Sequence, residues 1–399
     1  MTVRVSKSAF NIREKVSELD KPTGLKGTEL MRSETTQEAR DLVSVGRKNL
    51  VINGDMRFNQ KNGTHTTLTD YTLDRWKFQQ DALDNYAHNV TQDADSPDAF
   101  NNSLKVEVTT SESALDTVED LAFAQFIEAQ NCQALRAGTS SAKPFTLSFW
   151  VKSTKTGTFS VSILADPDGN NKIFATTYNI NAASTWEYKT IRIPPCSLTT
   201  IPDTNGKGLT LRWVLIAGTA YTSASGGALH EWDDYHSSIW AGGHKTQMMT
   251  DGDIWQLTGV QLEVGENATD FEYRSYGEEL ALCQRYFYRN GGPEHDIISQ
   301  AFSPHTTEIA IAWPHPTEMR ASPTVDVVGT ETSNKNTNFY FRTTGNTGFS
   351  LTGNGRDITQ MTRHHFSMWF NGMSGVPAAT GQVRVQNDKT VHLHITAEF

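Results

Sequence analysis

The side chains best equipped for chemistry fall into three groups. Carboxylates come first: Glu119-Asp120, Asp233-Asp234 and Asp251 with Asp253 are the clusters nearest to aromatic residues. A glycoside-cleaving pair must stand roughly 5 to 10 Å apart across the sugar bond, with one carboxyl held protonated. Neighbours on a strand point to opposite faces, so Asp233 and Asp234 do not make such a pair. Aromatics come second. Trp232, Tyr235 and Trp240, with Asp233 among them, lie in a Gly-, Ser- and His-rich stretch from Tyr221 to His244 that has little strand character. Aromatic rings stack on the C–H face of a sugar, leaving its hydroxyls to Asp, Asn and His. The same residue types mark interfaces between subunits, and packing within the loop is the third reading. Residues 222–227 on one side and Gly242-Gly243 on the other predict an excursion from the main fold. Its rings are expected to meet a surface partner rather than the core, since exposed apolar area costs ~25 cal/mol per Å2. Histidines come third. His392 and His394 flank Leu393 and share one strand face, for which a solvated face is the default reading. His364-His365 diverge. Ser and Cys nucleophile motifs are absent, and no Gly-rich phosphate loop precedes a helix.

Composition narrows the classes. The 399 residues, 37% hydrophobic and 20% charged with 29 Gly and 13 Pro, have an ordinary globular balance. That length predicts two or three domains. A net charge of -10 argues against nucleic acid or an anionic membrane surface as the main partner. The longest apolar stretch, Leu211 to Ala217, is interrupted by Arg212 and is too short to span a bilayer, so no membrane insertion is expected. The first eight residues lack the apolar core of a secretory signal. Cys132, Cys196 and Cys283 are widely separated and odd in number, which argues against a disulfide framework and a Cys-rich zinc module and points to synthesis in a reducing cytoplasm.

Three stretches differ in texture. Residues 1–47 read as short helices. Ile12, Val16 and Leu19 fall on one helical face before Pro22 blocks continuation; Thr35 and Glu38 have capping-box spacing ahead of Ala39, Leu42 and Val43; Gly46 is a C-cap. Helices this short are marginal alone and need a partner. That partner is either the chain's own body or another protein, and the surplus of basic over acidic residues here favours the latter. Residues 48–275 alternate as strands: Phe145, Leu147, Phe149 and Val151 against Thr146, Ser148, Trp150 and Lys152, with similar rows at Leu104–Val108, Phe159–Ile163 and Leu209–Leu215. Short strands between turn signals predict an antiparallel sandwich. Residues 276–399 give a second, smaller β-sandwich, punctuated by Asn354-Gly355 and Asn371-Gly372. The fold class is mainly β, with a short helical N-terminal segment.

Several of these runs carry a resemblance. Lys48-Asn49-Leu50-Val51-Ile52-Asn53-Gly54-Asp55-Met56-Arg57-Phe58-Asn59-Gln60, followed by Asp74-Arg75-Trp76, resembles the opening of a jelly-roll domain in bacteriophage tail fibres. Leu257 to Gly265, then Ala268 to Glu272, resembles the last strand of that domain. Glu278 to Phe287 is similar to the junction leading into a C-terminal knob, and Met319 to Val325 to a segment near many fibre tips. Glu29 to Thr35 and Gly46 to Asn49 resemble the N-terminal piece of fibres from podoviruses of marine bacteria.

The resemblance implies a virion structural protein rather than an enzyme: a tail-fibre subunit, usually a trimer, attached to tail or neck proteins through residues 1–47. Its β domains would bind bacterial surface polysaccharide. A capsid, neck or tail decoration that only packs on neighbours is the alternative, and a glycan-degrading tailspike the third reading, though no β-helix repeat is visible. Jelly rolls of this kind commonly hold a structural calcium where their two ends meet, here Asn53, Asp55 and Glu263, whose oxygen donors suit it; ordinary turn hydrogen bonding is the competing reading. No other cofactor is expected. In a trimer with its strand near the axis, His392 and His394 resemble a metal-holding arrangement at fibre tips. Deleting residues 1–47 should leave soluble β domains that no longer join the particle, checked by a particle-incorporation assay; loss of folding would count against an anchor.

Overall fold

The structure is a computed structural model that describes residues 32, 48–66, 70–81, 83, 85–165, 171–223, 227–291, 297–305, 307–328, 339–343, 348–374, 383–387 and 392–399. The chain divides between Lys48 and Asn49 into two units. The anchor residues expected from sequence, Ile12, Val16, Leu19, Leu42 and Val43, lie outside the described residues. The strands of the described residues belong to the second unit, residues 49–399.

The first eleven strands are β1 (Lys77–Asp81), β2 (Ala87–Asp93), β3 (Ser103–Thr110), β4 (Asp120–Glu128), β5 (Phe145–Ser153), β6 (Gly157–Ala165), β7 (Lys172–Ile180), β8 (Glu187–Ile193), β9 (Lys207–Ala217), β10 (Trp232–Asp234) and β11 (Ile254–Val264). They form two antiparallel sheets, β1-β4-β9-β6-β7-β10 and β2-β3-β11-β5-β8. The period-2 rows expected from sequence are the ones that face inward. Leu104, Val106 and Val108 of β3, Phe145 to Val151 of β5, Phe159 to Ile163 of β6 and Leu209 to Leu215 of β9 all bury their apolar members in one core. Alternation works because successive strand side chains leave on opposite faces. Trp213 sits at the centre, 5.6 Å from both Trp76 and Phe149 between ring centroids.

The six-stranded sheet is also covered on its outer side. A short helix, α1 (Thr219–Thr222), and the stretch that follows β10 lay Ile239, Trp240 and Ala241 over Leu164, Ile173, Ala175 and Val214. This corrects the expectation for the Trp-bearing excursion. Trp240 is 5% exposed, and Trp232 lies on β10 opposite Phe174, half-buried against the main core, with its Nε1 donating to Pro194 O at 2.8 Å. An outer sheet face carrying Leu164, Ile173 and Val214 needs apolar cover, and Ile239, Trp240 and Ala241 supply it.

After α2 (Tyr276–Gln284), whose Ser275 Oγ caps Glu278 N–H, come β12 (Phe287–Asn290), β13 (Ile297–His305), β14 (Glu308–Pro314), β15 (Thr324–Val328), β16 (Phe339–Thr343), β17 (Gly348–Thr359), β18 (His365–Ser374), β19 (Val383–Asn387) and β20 (His392–Thr396). β12-β20-β15 is a three-stranded sheet, and β13-β14-β18-β17-β16-β19 closes as a barrel. Closure, where a second sandwich was expected, follows from β13 pairing with both β14 and β19, which leaves this sheet without a free edge. On β20, His392 and His394 share a face as their spacing predicts, with Nε2 atoms 3.0 Å apart. His394 turns edge-on to Phe287, and burial pushes its pKa down to about 4.

The junction between the sandwich and the C-terminal strands is built on charge. Arg75, 1% exposed, pairs with Glu398, donates to Phe126 O and stacks on Tyr286 at 3.4 Å from the ring centroid. Glu128, fully buried, accepts from Arg285 Nε at 2.7 Å and Nη2 at 2.9 Å, and from the Tyr286 hydroxyl. Arg320 donates to Ala397 O and Glu398 O. Arg75 and Glu128 each have an opposite charge as partner, without which they would not tolerate removal from water.

Buried neutral histidines set the acid limit of this fold. His88 stacks on Phe78 at 4.1 Å, is 1% exposed and has no hydrogen-bond partner on either ring nitrogen. Burial lowers its pKa to about 4, as it does for His244. A histidine that ionises near 6.5 when unfolded but not in the fold gives the unfolded state the extra proton, so its contribution is present above 6.5 and is lost as pH falls from 6.5 towards 4. Urea titrations should show stability falling across that window. His88→Leu should reduce the slope by up to about 1.4 kcal/mol per pH unit, and an unchanged slope would mean the ring is hydrated in the fold.

Candidate functional site: a groove on the five-stranded sheet

The five-stranded sheet leaves its outer face open along β8 and around Trp150 and Lys152 of β5, and across this face the polar members of each alternating row stand in register. Arg192 lies opposite Thr146, Thr190 opposite Ser148, and Tyr188 opposite Trp150 across β8 and β5. On the other flank of β5, β11 places Glu263 opposite Thr146, Gln261 opposite Ser148 and Thr258 opposite Trp150. Between Thr258 and Gln261 the register slips: one more residue on β11 than on β5 makes a β-bulge. The bulge residue Gly259 has φ +60°, and a Cβ there would come within 2.7 Å of Phe100 and 3.0 Å of Trp150. Only glycine lets both rings close over the backbone at that point.

The result is a groove of about 660 Å3. Trp150 and the exposed Tyr188 form its floor, 5.3 Å apart between centroids and tilted by 46°. Phe100, Phe271 and Tyr273 form one wall, with Phe271 edge-on to both of the others. The Tyr273 hydroxyl donates to Ala99 O at 2.9 Å; burial, then the nearby Asp55, hold that phenol above its ordinary pKa, so it remains a donor. Arg192 and Glu266 pair across one end. Further along the β5 row, Lys152 pairs with Asp95 beside a smaller hollow of about 180 Å3, and Trp186 Nε1 donates to Asp95 at 3.1 Å. Lys152 holds the Asp95 carboxyl below its usual range.

The wall is latched to the sheet by buried polar side chains. Glu263 accepts from Thr269 N at 2.8 Å and Thr269 Oγ1 at 2.6 Å, and Gln261 Oε1 accepts from Glu272 N at 2.8 Å. Asn49 ties in the opening segment: its Oδ1 accepts from Val51 N and Leu262 N, both at 3.0 Å, and its Nδ2 donates to Val260 O at 3.1 Å. The two ends of the sandwich therefore meet, yet not around a cation. Asn53 spends its amide on Phe58 and Asp74, Asp55 pairs with Arg57 at 2.7 Å, and Glu263 is committed to Thr269. Their oxygens face different partners, which corrects the calcium expectation. Among the described residues no group of three His, Cys, Asp or Glu is placed to hold a metal.

The other expected site residues do not come together here. Asp234 pairs with Lys172, and Asp233 accepts from Ala228 N. Asp253 pairs with Lys155 at 2.6 Å, and Glu119 accepts from Asp116 N. Tyr235 is exposed on the opposite sheet. None of them lines the groove. The groove aromatics were missed, although the β5 alternation already put Trp150 on the outer face. A tryptophan at a solvent-facing position with no core to join was the available signal.

The sequence matches no protein-family model and no curated protein. Among solved structures, it is similar to the enzymatically active domain of tailspike protein 4 of bacteriophage CBA120, at 19% identity and TM-score 0.30 over 54% of this chain, spanning about a fifth (21%) of that one. It is also similar to the family 11 carbohydrate-binding module of a cellulosomal cellulase of Clostridium thermocellum, at 12% identity and TM-score 0.25 over 52% of this chain and 97% of the module. A third is the CBM22-2 xylan-binding domain from Paenibacillus barcinonensis, at 17% identity and TM-score 0.26 over 51% of this chain and 99% of that one. Fold and site define an antiparallel β-sandwich protein with an aromatic-floored groove on one sheet.

Gly259→Ala tests the bulge. The left-handed backbone costs a non-glycine residue roughly 1–2 kcal/mol, and the new methyl must displace Phe100. A lower melting temperature together with a changed near-UV circular dichroism signal is expected; a variant unchanged in both would mean the rings do not close over this residue.

Proposed function

We propose that this chain is a glycan-binding subunit of a virion appendage, a tail fibre attached through residues 1–47 and displaying its β domains outward, and that the five-stranded-sheet groove holds the glycan. The observation that carries the binding reading is the Trp150–Tyr188 pair on an open face. These rings serve no core, yet they are fixed in register beside Thr146, Ser148 and Thr190, with Asn267 also lining the groove. An apolar ring with a polar surround suits a pyranose, which offers a C–H face and a rim of hydroxyls. Asp98, Glu266 and Asp270 outnumber Arg192 along the groove, so a neutral polysaccharide fits better than an acidic one. The virion role is supported by the sequence runs at both ends of the sandwich. Binding rather than cleavage is the reading for this groove. As a homotrimer the subunit would present several weak sites on one rigid particle and gain avidity without new contacts.

Titration of the full chain with neutral and acidic oligosaccharides tests the reading. Trp150→Ala and Tyr188→Ala should each weaken binding of a neutral chain at least tenfold, a loss of about 1.4 kcal/mol. Their stability should fall by no more than the worth of one cross-strand pair, about 0.2–1 kcal/mol. Undiminished binding in both variants would remove the groove from consideration.

A further inference from the structure

The outer face of the other sheet holds a second recess, of about 280 Å3, where the cover over that sheet stops. Trp240, Tyr221 and Tyr235 wall one side, with Tyr221 5.3 Å from Trp240 between centroids and Tyr235 41% exposed. Ala122 contributes to the floor, and Gln79, Asp120, Arg212 and Ser237 to the rim. Arg212 stands on β9 opposite Ala124, so nothing bulky shields it from the next strand. Its Nε donates to Gln79 Oε1 at 3.0 Å, and its guanidinium carbon lies 5.7 Å from the Trp240 ring centroid. One edge of the fork is fixed and one face is braced, which orients the remaining N–H groups before any ligand arrives. The cover that buries Leu164, Ile173 and Val214 has no packing need for a guanidinium, a carboxylate and an exposed tyrosine at its margin.

We propose that this recess is a second saccharide site, taking a single neutral hexose unit. The ligand class rests on the glycan-binding reading of the chain; the site itself does not involve the groove. An aromatic wall with a guanidinium and a carboxylate on its rim matches a pyranose, whose C–H face meets the ring while its hydroxyls donate to Asp120 and accept from Arg212. The recess has less than half the volume of the groove, and the cover closes it on one side, which suits one sugar unit rather than a chain running through. Asp120 on the rim disfavours an acidic sugar. The two sites lie on opposite faces of one sandwich, so they engage different units of a surface glycan and never compete for the same one.

Saturation-transfer NMR on the full chain decides the matter, with glucose, galactose, mannose, glucuronic acid and galacturonic acid as probes. A neutral hexose should give a signal that persists in Trp150→Ala, where the groove is disabled. Its affinity should fall at least tenfold in Tyr235→Ala and in Arg212→Gln. If Arg212→Gln does not fold, Tyr235→Ala, which removes an exposed side chain, decides alone. The proposal is overturned if no neutral hexose binds the wild type, if uronic acids bind as well as neutral hexoses, or if the signal is lost in Trp150→Ala and kept in Tyr235→Ala. A wild type that binds hexose but no oligosaccharide would sink the groove reading and support this one.

Discussion

The β-bulge at Gly259 and Val260 is the constraint on which the rest of the groove depends. By adding one residue to β11, it shifts the inward-facing row so that Leu257 precedes it and Val260 and Leu262 follow it in the core. On the outer side it brings the backbone low enough for Phe100 and Trp150 to close over it. The same residue pair receives the opening segment: Val260 N donates to Gly54 O, and Asn49 Nδ2 donates to Val260 O. Gly54 has no room for a side chain, because a Cβ would sit 2.2 Å from Val260 O. Groove floor, core register and chain entry are thus one local geometry, and a disturbance at any of the three reaches the other two.

The two sheets divide the labour differently. Beneath α1 and residues 237–244, the six-stranded sheet is packed on both sides, and its strands are buried along almost their whole length, polar members included, as β9 and β6 are. The five-stranded sheet alternates polar and apolar residues, and its outer row is open along β8 and at Trp150 and Lys152, while the polar members on β11 are buried where the wall is latched on. β8 shows this most plainly, with Ile191 and Ile193 buried and Thr190 and Arg192 exposed. Open face and groove are the same surface.

How much of this was legible in the sequence depends on the physical content of each signal. Period-2 rows report which way a side chain leaves a strand, so the core of the sandwich could be read at Phe145–Val151 and Leu209–Leu215. The rows do not report which outer face is later covered. Trp240 and Trp150 therefore look alike as ring-bearing residues, and the Gly- and Ser-rich flanks point to Trp240, most of which the outer cover buries. Covering Leu164 and Val214 is a tertiary demand, invisible until the sheets are assembled. The carboxylate and amide of Glu263 and Asn53 were recognised as special because the two ends of the sandwich meet there. What they do is satisfy buried N–H groups, a use that spacing alone does not separate from cation binding. Barrel closure of the C-terminal strands likewise depends on which edges pair, and alternation says nothing about edges.

The ion pair between Arg75 and Glu398 joins residues 323 positions apart. During synthesis, then, more than three hundred residues follow this arginine before its carboxylate is made. Until that moment the nascent sandwich holds a guanidinium in a place made for it without the charge that balances it, and burying it early would cost several kcal/mol. That end of the sandwich has reason to stay open while translation continues, with Tyr286 and the strands after it still to arrive. The pair can therefore form only after β20 has been made, so this join between the sandwich and the C-terminal strands is a late event in synthesis.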